Sequence, residues 1–171
     1  MIKSICLLLL LIINVANATQ IKVPAGTVIV SRNRLLRDNK TPGYWNHLGI
    51  ITKDGFVIEA QQQVGVVKTP LKVFLARDYS EIQVLVPKDR LEGARAAAKC
   101  EMLVGKPYRG LSSLFRYDTE RRQQIGLNCV STVRLGFVDE HWCWHTLHLP
   151  DGVFRFVDSD FERPVIVRTA R

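Results

Sequence analysis

The strongest constraint on the fold is a predicted β-hairpin at residues 43–60, GYWNHLGIITKDGFVIEA. Its two apolar segments flank a Lys-Asp-Gly turn at residues 53–55, which favours a type I turn followed by glycine in the left-handed region. With that three-residue loop, His47 and Glu59 point to the same face of the hairpin as diagonal neighbours. A two-residue loop would place them on opposite faces. The turn therefore decides whether these two titratable side chains can meet.

Two polar side chains compete for the position beside His47. Glu59 is its diagonal neighbour in the predicted register, whereas Gln61 lies directly opposite it. Either side chain could hold the imidazole, so this choice stays open. Both titratable residues also have simpler interpretations, the histidine as a half-buried strand residue and the glutamate as a partly exposed strand carboxylate.

Cys129 is a candidate nucleophile because of its place on a predicted helix. A short apolar pattern predicts a helix over residues 129–137, with Asn128 as its N-cap. The N-terminus of a helix carries partial positive charge and free backbone N–H groups. These lower the pKa of a thiol and can stabilise an oxyanion. The alternative is a buried structural cysteine.

Residues 1–18 are interpreted as a segment separate from the fold. Lys3, an apolar run at residues 6–13 and the small residues Ala-Asn-Ala at 16–18 are typical of a secretory signal peptide. The apolar run is too short to span a bilayer. A buried first strand or an uncleaved anchor is the alternative. We therefore predict export, cleavage near Ala18, and a single domain over residues 19–171 with no transmembrane segment in the mature chain.

Strands and helices in irregular alternation predict an α+β fold. Besides the hairpin, strands are expected near residues 21–23, 27–31, 81–86 and 163–168, and a short helical piece within 69–79. Asp89 is expected to cap a helix that begins at residue 90. The buried side of this helix is expected to contain the residues at helical spacing, Leu91, Ala94, Ala98 and Met102.

The composition limits the classes of partner. A formal charge of +8 at pH 7 indicates attraction to anionic surfaces such as cell-wall polymers or lipid head groups. The basic residues are scattered, and no nucleic-acid motif is present, so nucleic acid is not a predicted partner. With 47% hydrophobic and 23% charged residues, the composition is that of a folded chain and not of a disordered one. No cofactor is predicted.

Three segments together resemble the permuted papain-like amidases of the YiiX/YaeF-like group. This group is related to the NlpC-type cell-wall peptidases and to the lecithin:retinol acyltransferases. The segment WNHLGIITKDGFVIEA, with the Gly-Val at 65–66, resembles the family's histidine hairpin; GKPY at 105–108 resembles its small turn, and NCVSTV at 128–133 the start of its cysteine helix. Asn46 stands where the family has serine before the histidine, and Val-Ser-Thr follows the cysteine where Ser-Glu-Leu is usual. These departures leave the substrate class open.

The resemblance implies a permuted papain-like (NlpC-like) fold, in which a small antiparallel sheet or half-barrel packs against two or three helices. It implies Cys129 as the nucleophile, His47 as the general base and Glu59 as the group that orients the imidazole. The residues expected to contact substrate are Tyr108, Trp45 and Asn128. Simple packing is the alternative for the tyrosine.

The function implied is that of an exported cysteine hydrolase. Such an enzyme would cleave an amide bond, in cell-wall peptide, through a thioester intermediate. One alternative is a lipid acyltransferase or acyl hydrolase on the same fold. A non-catalytic exported binding module is another.

The tail HWCWHTLH at residues 141–148 suggests a competing function. Alternate residues of a strand share a face, so His141, Cys143 and His145 could ligate zinc, and an aromatic flap is the alternative. Of the four cysteines, one leaves with the predicted signal peptide. One arrangement pairs Cys143 with Cys100, which lies off the expected buried side of its helix. This pairing leaves Cys129 as the free thiol that a nucleophile must be.

Overall fold

The computed structural model describes residues 23–33, 44–108, 127–137, 150–156 and 159–169. The strands are β1 (Val28–Asn33), β2 (His47–Ile51), β3 (Phe56–Gln61), β4 (Gly65–Pro70), β5 (Tyr79–Leu85) and β6 (Val165–Thr169). The helices are α1 (Leu71–Leu75), α2 (Arg90–Glu101) and α3 (Cys129–Phe137), with a 3-10 helix at Pro150–Phe156. The predicted signal peptide at residues 1–18 lies outside the described residues.

The six strands form one open antiparallel sheet in the order β4-β3-β2-β1-β5-β6. With the helices, this sheet confirms the α+β prediction. Strand β6 confirms the strand expected near 163–168, while most of the one expected at 21–23 lies outside the described residues. Among the described residues, no helix has the length and apolar character needed to cross a membrane.

The hairpin has the predicted turn and register. The backbone N–H of Thr52 donates to the carbonyl of Phe56 at 2.8 Å, and Gly55 adopts a φ of +78°. Ile50 of β2 lies opposite Ile58 of β3, which is the register expected from a three-residue loop. Because the side-chain period of a strand is two, this register alone places His47 and Glu59 on a common face.

Both faces of the sheet carry buried apolar side chains. One face packs against α2 and α3, and its sheet residues include Val28, Val30, Leu48, Ile50 and Ile58. The opposite face has a smaller cluster formed by Ile29, Ile51, Val57, Ile82 and Val84, which packs against Phe74 of α1. Successive residues of β1 thus enter different clusters, as the alternation of a strand requires.

The N-cap of α2 was predicted correctly, but its buried face was not. Asp89 accepts hydrogen bonds from the backbone N–H groups of Leu91 and Glu92 at 2.8 and 3.0 Å. On the side expected to be buried, however, Leu91 is 66% and Met102 75% exposed. The residues that are buried are small: Gly93, Ala96, Ala97 and Cys100.

The close approach of α3 explains which face of α2 is buried. A Cβ atom added at Gly136 of α3 would lie 2.6 Å from Cys100 Sγ and 2.8 Å from the carbonyl oxygen of Ala96. Such a contact excludes larger side chains on both helices. The small residues therefore face the core, and the larger Leu91 and Met102 point to solvent.

Two glycines provide a matched test of packing against backbone strain. Gly26 and Gly105 have nearly equal φ angles of +88° and +87°. A Cβ at Gly26 would lie 2.2 Å from the backbone of Gly93, whereas a Cβ at Gly105 would meet no atom of the described residues within 4 Å. We expect Gly105→Ala to lower the free energy of unfolding by about 1–2 kcal/mol through strain alone. Gly26→Ala should cost about 1–3 kcal/mol more, because the methyl group overpacks the contact. Urea unfolding of both variants measures the difference; equal losses would contradict this packing.

Candidate active site

Helix α3 begins at Cys129 because Asn128 caps it. Asn128 Oδ1 accepts a hydrogen bond from the backbone N–H of Ser131 at 2.8 Å. In return, Ser131 Oγ accepts from the backbone N–H of Asn128 at 2.8 Å. This reciprocal pair satisfies two backbone donors at the helix start. Cys129 therefore lies in the first turn, where the free N–H groups of the helix are directed.

His47 lies between Cys129 and Glu59 at the start of β2. Its Nε2 atom is 2.7 Å from Glu59 Oε2. The side chains of His47 and Cys129 also shift each other's pKa, which raises that of the imidazole and lowers that of the thiol. Since Nε2 is engaged by the carboxylate, Nδ1 is the ring nitrogen left to exchange a proton with the thiol. The three predicted residues thus meet in one row, although 82 positions of sequence (129 − 47) separate the histidine from the cysteine.

The competition between Glu59 and Gln61 is resolved in favour of Glu59. Gln61 Nε2 donates to Glu59 Oε1 at 2.8 Å, so the amide supports the carboxylate while the carboxylate holds the imidazole. Thr69 Oγ1 also donates to Glu59 Oε1, at 2.6 Å. Arg77 adds two contacts, with Nη1 at 2.8 Å from Oε2 and Nη2 at 2.8 Å from Oε1. With the imidazole, five polar contacts therefore surround a carboxylate that is 0% exposed.

The pKa values of the cysteine and the histidine shift in opposite directions. Burial raises the pKa of the Cys129 thiol, but the hydrogen bond and the charge of His47, with the backbone N–H groups of Leu48 and Val130, bring it below the usual 9.0. Burial lowers the pKa of His47, but its contacts with Cys129 and Glu59 raise it well above 6.5. Both shifts favour a thiolate paired with an imidazolium.

Glu59 stays ionised although it is fully buried. Burial alone raises the pKa of this carboxyl group, but hydrogen bonds from His47, Arg77 and Thr69, with the charge of the imidazolium, hold the pKa far below the usual 4.5. The contact with Glu59 in turn raises the pKa of Arg77 above the usual 12.5, against the opposing effect of burial. The site thus contains a fixed negative charge beside the ring that must carry a positive one.

The three residues expected to contact substrate differ in how accessible they are. Trp45 is buried and stacks on Phe154 with ring centroids 5.7 Å apart, so it offers little surface to a ligand. Asn128 is buried as the cap of α3. Tyr108 is half-buried. Burial and the negative charge of Cys129 both raise the pKa of its hydroxyl, so its titration is coupled to the charge of the reactive thiol.

The segment that carries Tyr108 is bound to the sheet and to the start of the cysteine helix. Val66 N–H donates to the carbonyl of Lys106 at 2.8 Å. On the other side, Leu127 N–H donates to the carbonyl of Pro107 at 2.8 Å, two residues before Cys129. These bonds connect β4 to the segment at 105–108, and that segment to the residue two positions before Cys129.

Sequence reasoning did not identify Thr69 and Arg77. A sequence signal for Thr69 does exist. In β4 it lies opposite Val57 of β3, and Val57 and Glu59 are alternate residues of one strand, so Thr69 shares a face of the sheet with Glu59. Recognising it requires the pairing of β3 with β4. Arg77 lies in the connection between α1 and β5, where no periodicity predicts the direction of a side chain.

The predicted zinc ligands His141, Cys143 and His145 lie outside the described residues. Within the described ranges, no cluster of three or more histidine, cysteine or acidic side chains is arranged to hold a metal ion. Cys100 is fully buried between α2 and α3, and its expected disulfide partner Cys143 lies outside the described residues. The expectation that it lies off the buried side of α2 is therefore wrong, because the small face of that helix is the one that packs.

Thiol alkylation tests the two described cysteines against each other. The pKa of Cys129 is lowered, whereas burial raises that of Cys100 to about 12. We expect iodoacetamide to label Cys129 of the folded protein at pH 6–7, where an ordinary thiol with a pKa of about 8.5 reacts slowly, and to leave Cys100 unlabelled. Mass spectrometry of tryptic peptides separates the sites, since residues 123–134 contain Cys129 alone. Labelling that rises only above about pH 8 would contradict the lowered pKa.

A thiolate, an imidazolium and an orienting carboxylate in one row are the groups that nucleophilic acyl transfer requires. In comparisons with known proteins, no family model, no curated protein and no solved structure matches this chain.

Proposed function

We propose that the chain is an exported cysteine hydrolase that cleaves an amide bond, with cell-wall peptide as its substrate. The observation that carries this proposal is the position of His47 between Cys129 and Glu59. A structural cysteine has no use for an ionised, fully buried carboxylate behind the histidine that contacts it. A nucleophile does, because the imidazolium must be stabilised while the thiolate attacks.

The proposed reaction runs in two steps. The Cys129 thiolate attacks the amide carbonyl carbon and forms a C–S bond, and the carbonyl π electrons move to oxygen. The tetrahedral intermediate collapses, the C–N bond breaks, and the imidazolium gives its proton to the leaving amine. Water then attacks the thioester while neutral His47 takes its proton. The C–S bond breaks, and the acid product leaves with the thiolate and imidazolium restored.

The oxyanion formed at each step needs donors near the sulfur. The first turn of α3 provides free backbone N–H groups at this point, and the N–H of Cys129 is the candidate donor. Tyr108 is half-buried and its hydroxyl responds to the charge of Cys129, and it is the side chain we assign to substrate contact.

We further propose that the fold is permuted papain-like. Two of the segments on which the resemblance is based, Gly65-Val66 and the GKPY at 105–108, are hydrogen-bonded to each other through Val66 and Lys106. The third, NCVSTV, begins the helix that presents Cys129. The histidine hairpin precedes the cysteine helix in the chain, which is the order of the permuted group. A six-stranded antiparallel sheet with helices is compatible with this fold.

Cell-wall peptide is the proposed substrate because two independent expectations converge on it. The sequence at residues 1–18 predicts export, and the resemblance is to relatives of cell-wall peptidases. The net charge, +8 for the full sequence and +7 (8 − 1) once Lys3 leaves with the predicted signal peptide, would also attract the protein to anionic wall polymers.

Product analysis of purified cell wall tests the proposal. Wild type should release soluble wall fragments with newly exposed amino groups, whereas Cys129→Ser, which replaces the thiol by a far less acidic hydroxyl, should release none. Equal digestion by both proteins would refute the assignment of the nucleophile. If wild type leaves the wall intact but frees fatty acid from phospholipid vesicles, the amide assignment is wrong and the acyl hydrolase alternative is correct.

A further inference from the structure

We propose that Arg77 is a positioning residue of this site, which holds Glu59 ionised and oriented so that the carboxylate fixes His47. The inference rests on the proposed function and deepens it, because it adds a fourth member to the row of three. The two contacts of Arg77 with the Glu59 carboxylate are the route by which we expect it to act on His47 and Cys129.

The contact between Arg77 and Glu59 is made at two points. Nη1 and Nη2 each lie 2.8 Å from a different carboxylate oxygen. A guanidinium presents donors in a planar fork, so a two-point contact fixes the plane of the carboxylate as well as its distance. The Oε2 atom held by Nη1 is also the one that contacts His47 Nε2. Rotation of the carboxylate away from the imidazole would therefore break both arginine contacts.

Charges alternate along the row. Arg77 is positive, Glu59 negative, His47 positive when Cys129 is a thiolate, and Cys129 negative. A carboxylate with no exposed surface is costly unless it is paired and hydrogen-bonded. Because Arg77 carries a permanent charge, Glu59 has an ionised partner in every protonation state of the other two residues.

Arg77 is itself held in place on the same aromatic ring that supports the histidine. Its guanidinium carbon lies 5.3 Å from the centroid of the Phe74 ring, and the His47 ring stacks on that ring with centroids 6.1 Å apart. Nη1 also donates to the Tyr79 hydroxyl at 3.2 Å. Phe74 is fully buried, so one rigid side chain fixes the spacing of both cations that contact Glu59.

The test is the pH dependence of iodoacetamide labelling at Cys129, which needs no substrate. In Arg77→Met the buried carboxylate loses two hydrogen bonds and its permanent counter-charge, so Glu59 can take up a proton or turn away from His47. Either change removes the negative charge that supports the imidazolium, and the thiolate–imidazolium pair becomes less stable. We expect the apparent pKa of Cys129 to rise by at least about one unit, so that labelling at pH 6 falls about tenfold or more. Arg77→Lys keeps the charge but not the fork and should fall between wild type and Arg77→Met.

The matched control is Arg90→Met. Arg90, the first residue of α2, also pairs with a carboxylate, that of Glu162. This ion pair is exposed to solvent. Arg90→Met should keep the wild-type labelling profile. If Arg90→Met shifts the pH profile of Cys129 labelling as much as Arg77→Met does, the shift is a general effect of losing an arginine ion pair, and the specific role of Arg77 is overturned.

The outcomes separate this inference from the proposed function. If wild-type Cys129 labels only at the pH of an ordinary thiol, the proposed function fails. If wild type labels at low pH and folded Arg77→Met and Arg77→Lys match it, the proposed function stands and the role of Arg77 is overturned. If Arg77→Met does not fold by circular dichroism, folded Arg77→Lys decides: a raised pKa supports positioning, and an unchanged one shows that Arg77 serves stability alone.

Discussion

Replacing His47 with alanine is expected to lower amide hydrolysis by about 10⁴- to 10⁶-fold, the range found when one member of a nucleophile–base pair is removed. The imidazole takes part in both proposed steps, first as the acid that protonates the leaving amine and then as the base that activates water. Its loss should also return the pKa of Cys129 toward the usual value, because the hydrogen bond and charge of His47 are the largest effects that lower it. Release of wall fragments with time measures the rate.

A double variant makes this prediction sharper. If Cys129 and His47 act as one unit, Cys129→Ala with His47→Ala should be no slower than Cys129→Ala alone, since the base has no function without the nucleophile. If the double variant instead loses the product of the two single-variant rate reductions, the two residues act separately and the proposed mechanism is wrong.

Changes at Glu59 are expected to separate catalysis from stability. Glu59→Ala should lower the free energy of unfolding by about 3–5 kcal/mol, because it leaves the Arg77 charge and three further polar groups without their shared acceptor. Glu59→Gln keeps the shape but lets an amide N–H face His47, which favours the wrong ring tautomer. It should fold and still lose about 10⁴-fold in rate. Urea unfolding and the wall assay measure the two effects.

The same carboxylate determines how stability depends on acid. The pKa of Glu59 is lower in the folded chain than its ordinary 4.5, so its contribution is complete above that value and is lost as the pH falls toward the folded pKa. Urea unfolding between about pH 3 and pH 7 should therefore show wild type losing more stability in acid than Glu59→Gln. Parallel pH curves for the two proteins would contradict an ionised Glu59.

The hairpin shows how much a local pattern can predict about this site. The Lys-Asp-Gly turn implies the loop length, the loop length implies the register, and the register places His47 and Glu59 on one face. The cap of α3 is equally local, because Asn128 acts on the N–H of Ser131 three residues later. Each of these predictions depends on residues close together in the chain, and the structure bears out both.

Helix α2 shows where the same reasoning fails. A periodic row that includes Leu91 and Met102 predicts a buried side, but helical spacing alone cannot say which of two rows meets a neighbour. The answer depends on Gly136 of α3, whose close approach admits only small side chains. The wrong prediction about Cys100 has the same origin, since its burial is decided by a helix about 30 residues later.

The sequence by itself determined the turn, the caps and the α+β class, and it identified Cys129 and His47 as candidates for the row. Only the tertiary structure decided that Glu59 and not Gln61 holds the imidazole, and that Thr69 and Arg77 complete the shell of the carboxylate. The physical reason is that local patterns determine the face to which a side chain points. Hydrogen-bond partners of a buried charge are instead selected by distance in space, and Arg77 comes from a connection with no periodic pattern at all.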